Sequence, residues 1–81
     1  MQTYAKPAFY IGATAAMLNR HVDTVRRWCD SGKMGCGRDK MSGWRIFTLD
    51  EINRVRAKMA LPELSPQQAT KIWRDYHNGD E

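Results

Sequence analysis

The sequence predicts a mainly α-helical domain carrying one small β-hairpin, and three observations lead there. Apolar residues recur at three- and four-residue spacing before residue 31 and again after residue 48, the period of helices with one buried face. Between them, 33–47 runs "GCG", "RDKMSG", "WRIF", the composition of strand, turn and strand. Thr48 with Glu51, and Ser65 with Gln68, are capping-box signatures for two further helices. The 81 residues fit one domain, 1–81, with a modest core and little room for an enclosed catalytic cleft.

Taken in order, 1–7 reads as a loose lead-in and 8–11 ("AFYI") as a short extended strand. Helix follows Gly12, where alanines and Leu18 favour it and Ala15, Met17 and Leu18 supply an inward stripe. Asn19 ends that helix, since asparagine tolerates the left-handed backbone found just past a helix end. A second helix spans 22–30; Asp23 suits the positive end of its dipole, and Ser31-Gly32 stops it. Val22, Val25, Trp28 and Cys29 share its core face, leaving Asp23, Arg26, Arg27 and Asp30 on the other. In the hairpin Asp39, Ser42 and Gly43 shape a charged turn, while Trp44 and Phe47 join Trp28 in the core. A third helix, capped by Thr48, buries Leu49, Ile52, Val55 and Met59 and closes at Leu61-Pro62. The last, 65–78, has Pro66 in its first turn and aligns Ala69, Ile72, Trp73 and Tyr76.

Charge narrows the function classes. The net charge is +4, and Arg20, Arg26, Arg27, Lys33, Arg38, Lys40 and Arg45 crowd into 20–45, while the last twenty residues lean acidic. A local basic excess of this kind points to a polyanion, nucleic acid before membrane. No apolar run approaches the roughly 18–20 residues of a membrane span, and the opening lacks a charged-then-apolar leader pattern, so a cytoplasmic location is expected. The two cysteines, Cys29 and Cys36, are too few for a disulfide framework; reduced thiols are expected, with a single bridge as the alternative. His21, Cys29 and Cys36 lack the paired spacing of a zinc site, and "GCG" is followed by no Gly-Lys-Ser/Thr, so neither metal nor nucleotide cofactor is expected. No nucleophile, base and acid form a supported set, and His77 stands alone near the tail; no enzyme is expected.

Two short helices joined by about three residues and followed by a charged hairpin describe a helix-turn-helix with a wing, the winged core falling at 9–60. At the residue level, Tyr10-Ile11-Gly12, Ala15, Thr24-Val25-Arg26-Arg27-Trp28 and Gly43-Trp44-Arg45-Ile46-Phe47 match in type and spacing. On these the chain resembles the winged helix-turn-helix of the MerR and phage excisionase-like superfamily over about 9–57. It departs from the pattern at Asn19 (usually Gly), Arg20 (usually aliphatic) and His21 (usually Ser or Thr).

The resemblance implies double-stranded DNA as the partner, with the second helix in the major groove and the wing on the backbone or minor groove. Candidate contacts from the helix and its turn are Arg20, His21, Asp23, Thr24, Arg26 and Arg27. From the wing they are Arg38, Lys40, Ser42 and Arg45. Arg27, opposite the core, is placed to pair with guanine; Arg38, Lys40 and Ser42 suit phosphate. Asp23 either accepts from a cytosine amine or serves the helix dipole, the latter being favoured. Arg45 either reaches a phosphate or pairs with an acid such as Asp50 or Glu51 and braces the wing, and Arg26 carries the same two readings. Small phage excisionases are similar in size and fold; they bind adjacent sites cooperatively, bend DNA and direct integrase toward excision. That role allows integrase and a head-to-tail neighbour as further partners. A compact MerR-like transcriptional regulator or phage repressor is the alternative, and a protein-interaction module built on the C-terminal helix is a third reading.

Overall fold

The computed structural model describes residues 8–79, with side chains described as far as Tyr76; the expected lead-in at 1–7 and the side chain of His77 lie outside this range. In chain order the elements are β1 (Ala8–Tyr10), α1 (Ile11–Leu18), α2 (Val22–Ser31), β2 (Gly37–Arg38), β3 (Arg45–Thr48), α3 (Leu49–Lys58) and α4 (Pro66–Gly79). The fold is therefore mostly helical, with a small three-stranded antiparallel sheet in the order β1-β3-β2. β3 is central, and its register sets Phe47 opposite Phe9, Ile46 opposite Tyr10 and Arg45 opposite Arg38.

The core forms where the four helices, β1 and β3 each contribute apolar side chains. Ala13, Ala15, Met17 and Leu18 of α1 meet Val25, Phe9, Phe47, Leu49, Ile52 and Val55, and Leu64 and Ala69 close it from the C-terminal side. α1 is apolar almost all round and is accordingly surrounded. Its buried Thr14 is satisfied locally, the hydroxyl donating to the Tyr10 carbonyl at 2.9 Å. Ala69 and Ile72 dock α4 on the body, while Trp73 and Tyr76 each keep 39% exposure.

The helix ends follow their chemistry. Asn19 takes the left-handed conformation (φ 55°), and its amide and that of Arg20 return to the last carbonyls of α1. His21 caps α2 through Nδ1, which accepts from the Asp23 amide at 3.1 Å, so an imidazole does the work usually given to a hydroxyl. Ser65 and Gln68 form a reciprocal capping box, at 3.1 and 2.8 Å. Thr48 completes only its half, accepting from the Glu51 amide at 3.2 Å, because the Glu51 side chain is used elsewhere.

Four sequence expectations are corrected. α1 begins at Ile11 and includes Gly12. α3 stops at Lys58, and the turn is made by Ala60 at φ 61°, one residue ahead of Leu61, where the following proline disfavours the helical conformation. The hairpin begins at Gly37, because 33–36 are spent burying Met34 and returning to α2, where the Met34 amide bonds the Trp28 carbonyl at 3.1 Å. That return brings the Cα atoms of Cys29 and Cys36 to 6.1 Å, within bridging range, and the two are joined as a disulfide instead of standing as thiols.

Candidate functional site

The expected site residues fall on two neighbouring elements, α2 with its preceding turn, and the β2–β3 hairpin. In the turn and helix, Arg20, His21, Asp23, Arg26 and Arg27 are exposed and Thr24 is half-buried. Arg20 donates to the Asn19 carbonyl at 3.0 Å. Asp23 holds Arg26 at 2.6 Å across one helical turn, so its carboxylate serves a neighbouring side chain as well as the helix start. Arg27 has no ion-pair partner among the described residues and projects into solvent.

In the hairpin, Arg38, Lys40 and Ser42 are exposed, and the turn is built by its own polar groups. Asp39 accepts from the Met41 amide at 2.9 Å, Ser42 Oγ accepts from the Trp44 amide at 3.1 Å, and Gly43 supplies the left-handed step at φ 77°. The Tyr10 hydroxyl donates to the other Asp39 oxygen, tying the turn to β1. That bond, with the Met41 amide, holds the Asp39 carboxyl below its ordinary range, and it pushes the Tyr10 phenol up.

Arg45 takes the second of its two readings, pairing with an acid and bracing the hairpin, but with a different acid. Its side chain is only 20% exposed, and Nη2 pairs at 2.6 Å with Asp30 at the end of α2, not with Asp50 or Glu51. Glu51 is instead occupied by Arg54 and by the Gly35 amide at 2.9 Å, and the Arg54 guanidinium holds its carboxyl below the usual range. The Asp30–Arg45 pair fastens the hairpin against α2. Between them lies a cavity of about 210 Å³ lined by Arg26, Arg38, Arg45, Tyr10, Ile11 and Trp44.

Trp44 overturns its assignment to the core: it is 63% exposed and meets the Tyr10 ring edge-on at 5.4 Å. The signal was present, because side chains alternate along a strand and Phe47 points inward. Counting back by two puts Arg45 on the inner side and Trp44 outside. Trp28, by contrast, packs against the core. Asp30 and Tyr10 are the functional neighbours that sequence reasoning missed; nothing in their local sequence signals the partners that folding gives them.

Among the described residues, no cluster of three His, Cys, Asp or Glu side chains is placed to hold a metal, and no helix is long and apolar enough to cross a membrane. No family model, curated protein or solved structure matches this chain. The surface that remains is cationic, partly aromatic and shared by one helix and one hairpin. Two of its guanidiniums, those of Arg26 and Arg45, are each held by an aspartate at 2.6 Å, and planar forks of this kind suit anions.

Proposed function

We propose that the chain is a sequence-specific double-stranded DNA-binding protein of winged helix-turn-helix type. α1, the three-residue turn and α2 form the helix-turn-helix, and the β2–β3 hairpin is its wing. The observation that carries this reading is the cavity in which Arg26 of α2 stands beside Arg38 of the hairpin, with Arg27 and Lys40 exposed on the same two elements. A major groove admits one helix, and Arg27, central on the exposed face and without an ion-pair partner among the described residues, is the residue best placed for a guanine edge. Arg20 and His21 flank the helix start, Thr24 and Arg26 flank Arg27, and Arg38, Lys40 and Ser42 address the backbone. Asp23 acts chiefly by holding Arg26 in position.

A single winged module covers a small interface, about 600–1,000 Å², so one copy grips one site weakly. The role this favours is architectural: an excisionase-like protein binding adjacent sites head to tail, bending DNA and directing an integrase, in the cytoplasm of a bacterial host. Gel shifts on duplexes carrying one or several sites, with circular permutation to read bending, test that role. Cooperative, bent complexes are expected; single, unbent, non-cooperative complexes at a promoter would make it a repressor instead. At residue level, Lys40→Ala should weaken all duplexes alike and lower the salt slope by about one unit. Arg27→Ala should remove about 1–3 kcal/mol of discrimination between cognate and altered sites. Equal effects of both substitutions on every sequence would overturn the assignment of helix and wing.

A further inference from the structure

The Cys29–Cys36 bridge closes the stretch that joins α2 to the hairpin, and its two ends are unlike. Cys29 is half-buried and packs against the core, whereas Cys36 is exposed. Exchange between a disulfide and a thiol depends on which sulfur the incoming thiolate can reach, and exposed bridges are the labile ones. The loop inside the bridge is also held without it. Met34 is buried and its amide bonds the Trp28 carbonyl at 3.1 Å, the Gly35 amide bonds Glu51 at 2.9 Å, and Arg54 reaches the Lys33 carbonyl at 3.3 Å. Cys36 thus lies one residue beyond a pinned amide, and an opened bridge keeps its two sulfurs within reach of each other. On its other side Cys36 runs directly into β2, whose two residues are both exposed, so no buried side chain of that strand holds it.

We propose that Cys36 is a thiol–disulfide exchange site for low-molecular-weight thiols, and that opening the bridge there weakens DNA binding by loosening the hairpin; the second part rests on the DNA-binding reading above. The incoming thiolate attacks Sγ of Cys36, the bond to Cys29 breaks, and the Cys29 sulfur leaves with the electron pair and takes a proton from water. A second thiolate attacks the small-molecule sulfur of the mixed disulfide. Cys36 is released as a thiolate and protonated in turn, and the two small thiols depart as their disulfide. Two electrons pass from the small thiols to the bridge. In reverse, the Cys29 thiolate, kept near by the loop, attacks Sγ of Cys36 in the mixed disulfide and expels the small thiol. α2 keeps its own hydrogen bonds throughout, so its contacts to bases are unchanged. The loosened hairpin must be ordered by the DNA it binds, which costs affinity on every sequence alike.

The test treats the full, bridged chain with reduced glutathione under native conditions, quenches with iodoacetamide and maps the cysteines by mass spectrometry. The mixed disulfide should form on Cys36. With glutathione disulfide, Cys36 in the Cys29→Ser variant should react about tenfold faster than Cys29 in the Cys36→Ser variant. A bridge that survives in the folded chain, or glutathione found mainly on Cys29, overturns the exchange site. Gel shifts then compare the two states. The reduced chain should bind every duplex about three- to tenfold more weakly than the bridged one, with discrimination unchanged, and recover on reoxidation. Cys29→Ser with Cys36→Ser should stay at the weak value with or without reductant. Equal affinity of the bridged and reduced chains overturns the link to binding and leaves the DNA reading standing. No duplex binding by either form overturns that reading and the link together, while the cysteine map still decides the exchange site.

Discussion

The two sides of this molecule are held by different forces. Where α4 meets α1, the joint is apolar and close: Ala69 is fully buried, Ile72 packs on the core, and Tyr76 lies over Gly12. Around the hairpin, the joints are polar and covalent. The Cys29–Cys36 disulfide and the Asp30–Arg45 pair hold it and the loop before it to α2, the Tyr10–Asp39 bond holds its turn to β1, and the Glu51–Gly35 bond holds that loop to α3. A hairpin with strands of two and four residues has too few side chains to bury, so it is positioned by discrete ties. Polar ties leave charged groups near the surface, and that is the side on which the proposed DNA contacts lie. Packing serves the scaffold, and electrostatics serves both the hairpin's position and its task.

The largest effect expected from this contrast comes from the disulfide. Closing a loop between residues seven apart in sequence removes unfolded-state entropy worth about 2 kcal/mol. Reduction, or the double substitution Cys29→Ser with Cys36→Ser, should lower the urea midpoint accordingly. Hydrogen exchange should then accelerate at 32–38 and stay unchanged in α4. An unchanged midpoint, or loosening spread evenly over both sides, would show that the hairpin does not depend on its crosslink.

How much of this division was legible beforehand depends on the range of each interaction. The helices were legible because their periodicity and caps are local: Leu49, Ile52 and Val55 are buried as their spacing requires, and Ser65 meets Gln68. Thr48-x-x-Glu51 carries the same signature and half of it fails, since Glu51 has better partners in Arg54 and Gly35. The exposed arginines of α2 were legible from the helical wheel. The Asp30–Arg45 tie was not, because those residues are fifteen apart and meet only once the hairpin folds back. The disulfide escaped composition for a related reason: the return through buried Met34, not the count of cysteines, brings the two residues together.

The apolar side can be probed at Gly12. A Cβ there would stand 2.7 Å from Cζ of Tyr76, so the ring must swing aside and uncover α1. Gly12→Ala should therefore destabilise by about 1 kcal/mol, even though alanine is the better helix former. In a Tyr76→Ala background the clash is gone, and the same substitution should stabilise by about 0.5–1 kcal/mol through helix propensity. A double-mutant cycle from urea unfolding reads this change of sign. The hairpin signals, Trp44 fluorescence included, should not respond; a response would mean that the two sides are coupled.

The smallest effect is expected at the hairpin turn and is set by pH. Asp39 has its carboxyl lowered by the Tyr10 hydroxyl and the Met41 amide, so its stabilising bonds are complete above the ordinary aspartate range. They are lost as pH falls through the depressed folded value. The Tyr10 phenol is shifted upward, chiefly by the Asp39 bond, so on its side the tie persists below the ordinary tyrosine range and fails as pH rises through the raised value. The turn should thus stay tied across neutral pH and release at both extremes. Trp44 packs on Tyr10, so its fluorescence should report both releases. Asp39→Asn should abolish the acid step and leave the global unfolding midpoint nearly unchanged. Glu51 is also depressed, first by Arg54, and releases Gly35 in the same direction as acid is added. Its step should appear at the Gly35 amide and survive Asp39→Asn. A single acid transition, shared by both reporters and removed by that substitution, would mean that the turn and the α3 tie act as one unit, and that the hairpin is a rigid extension of the core.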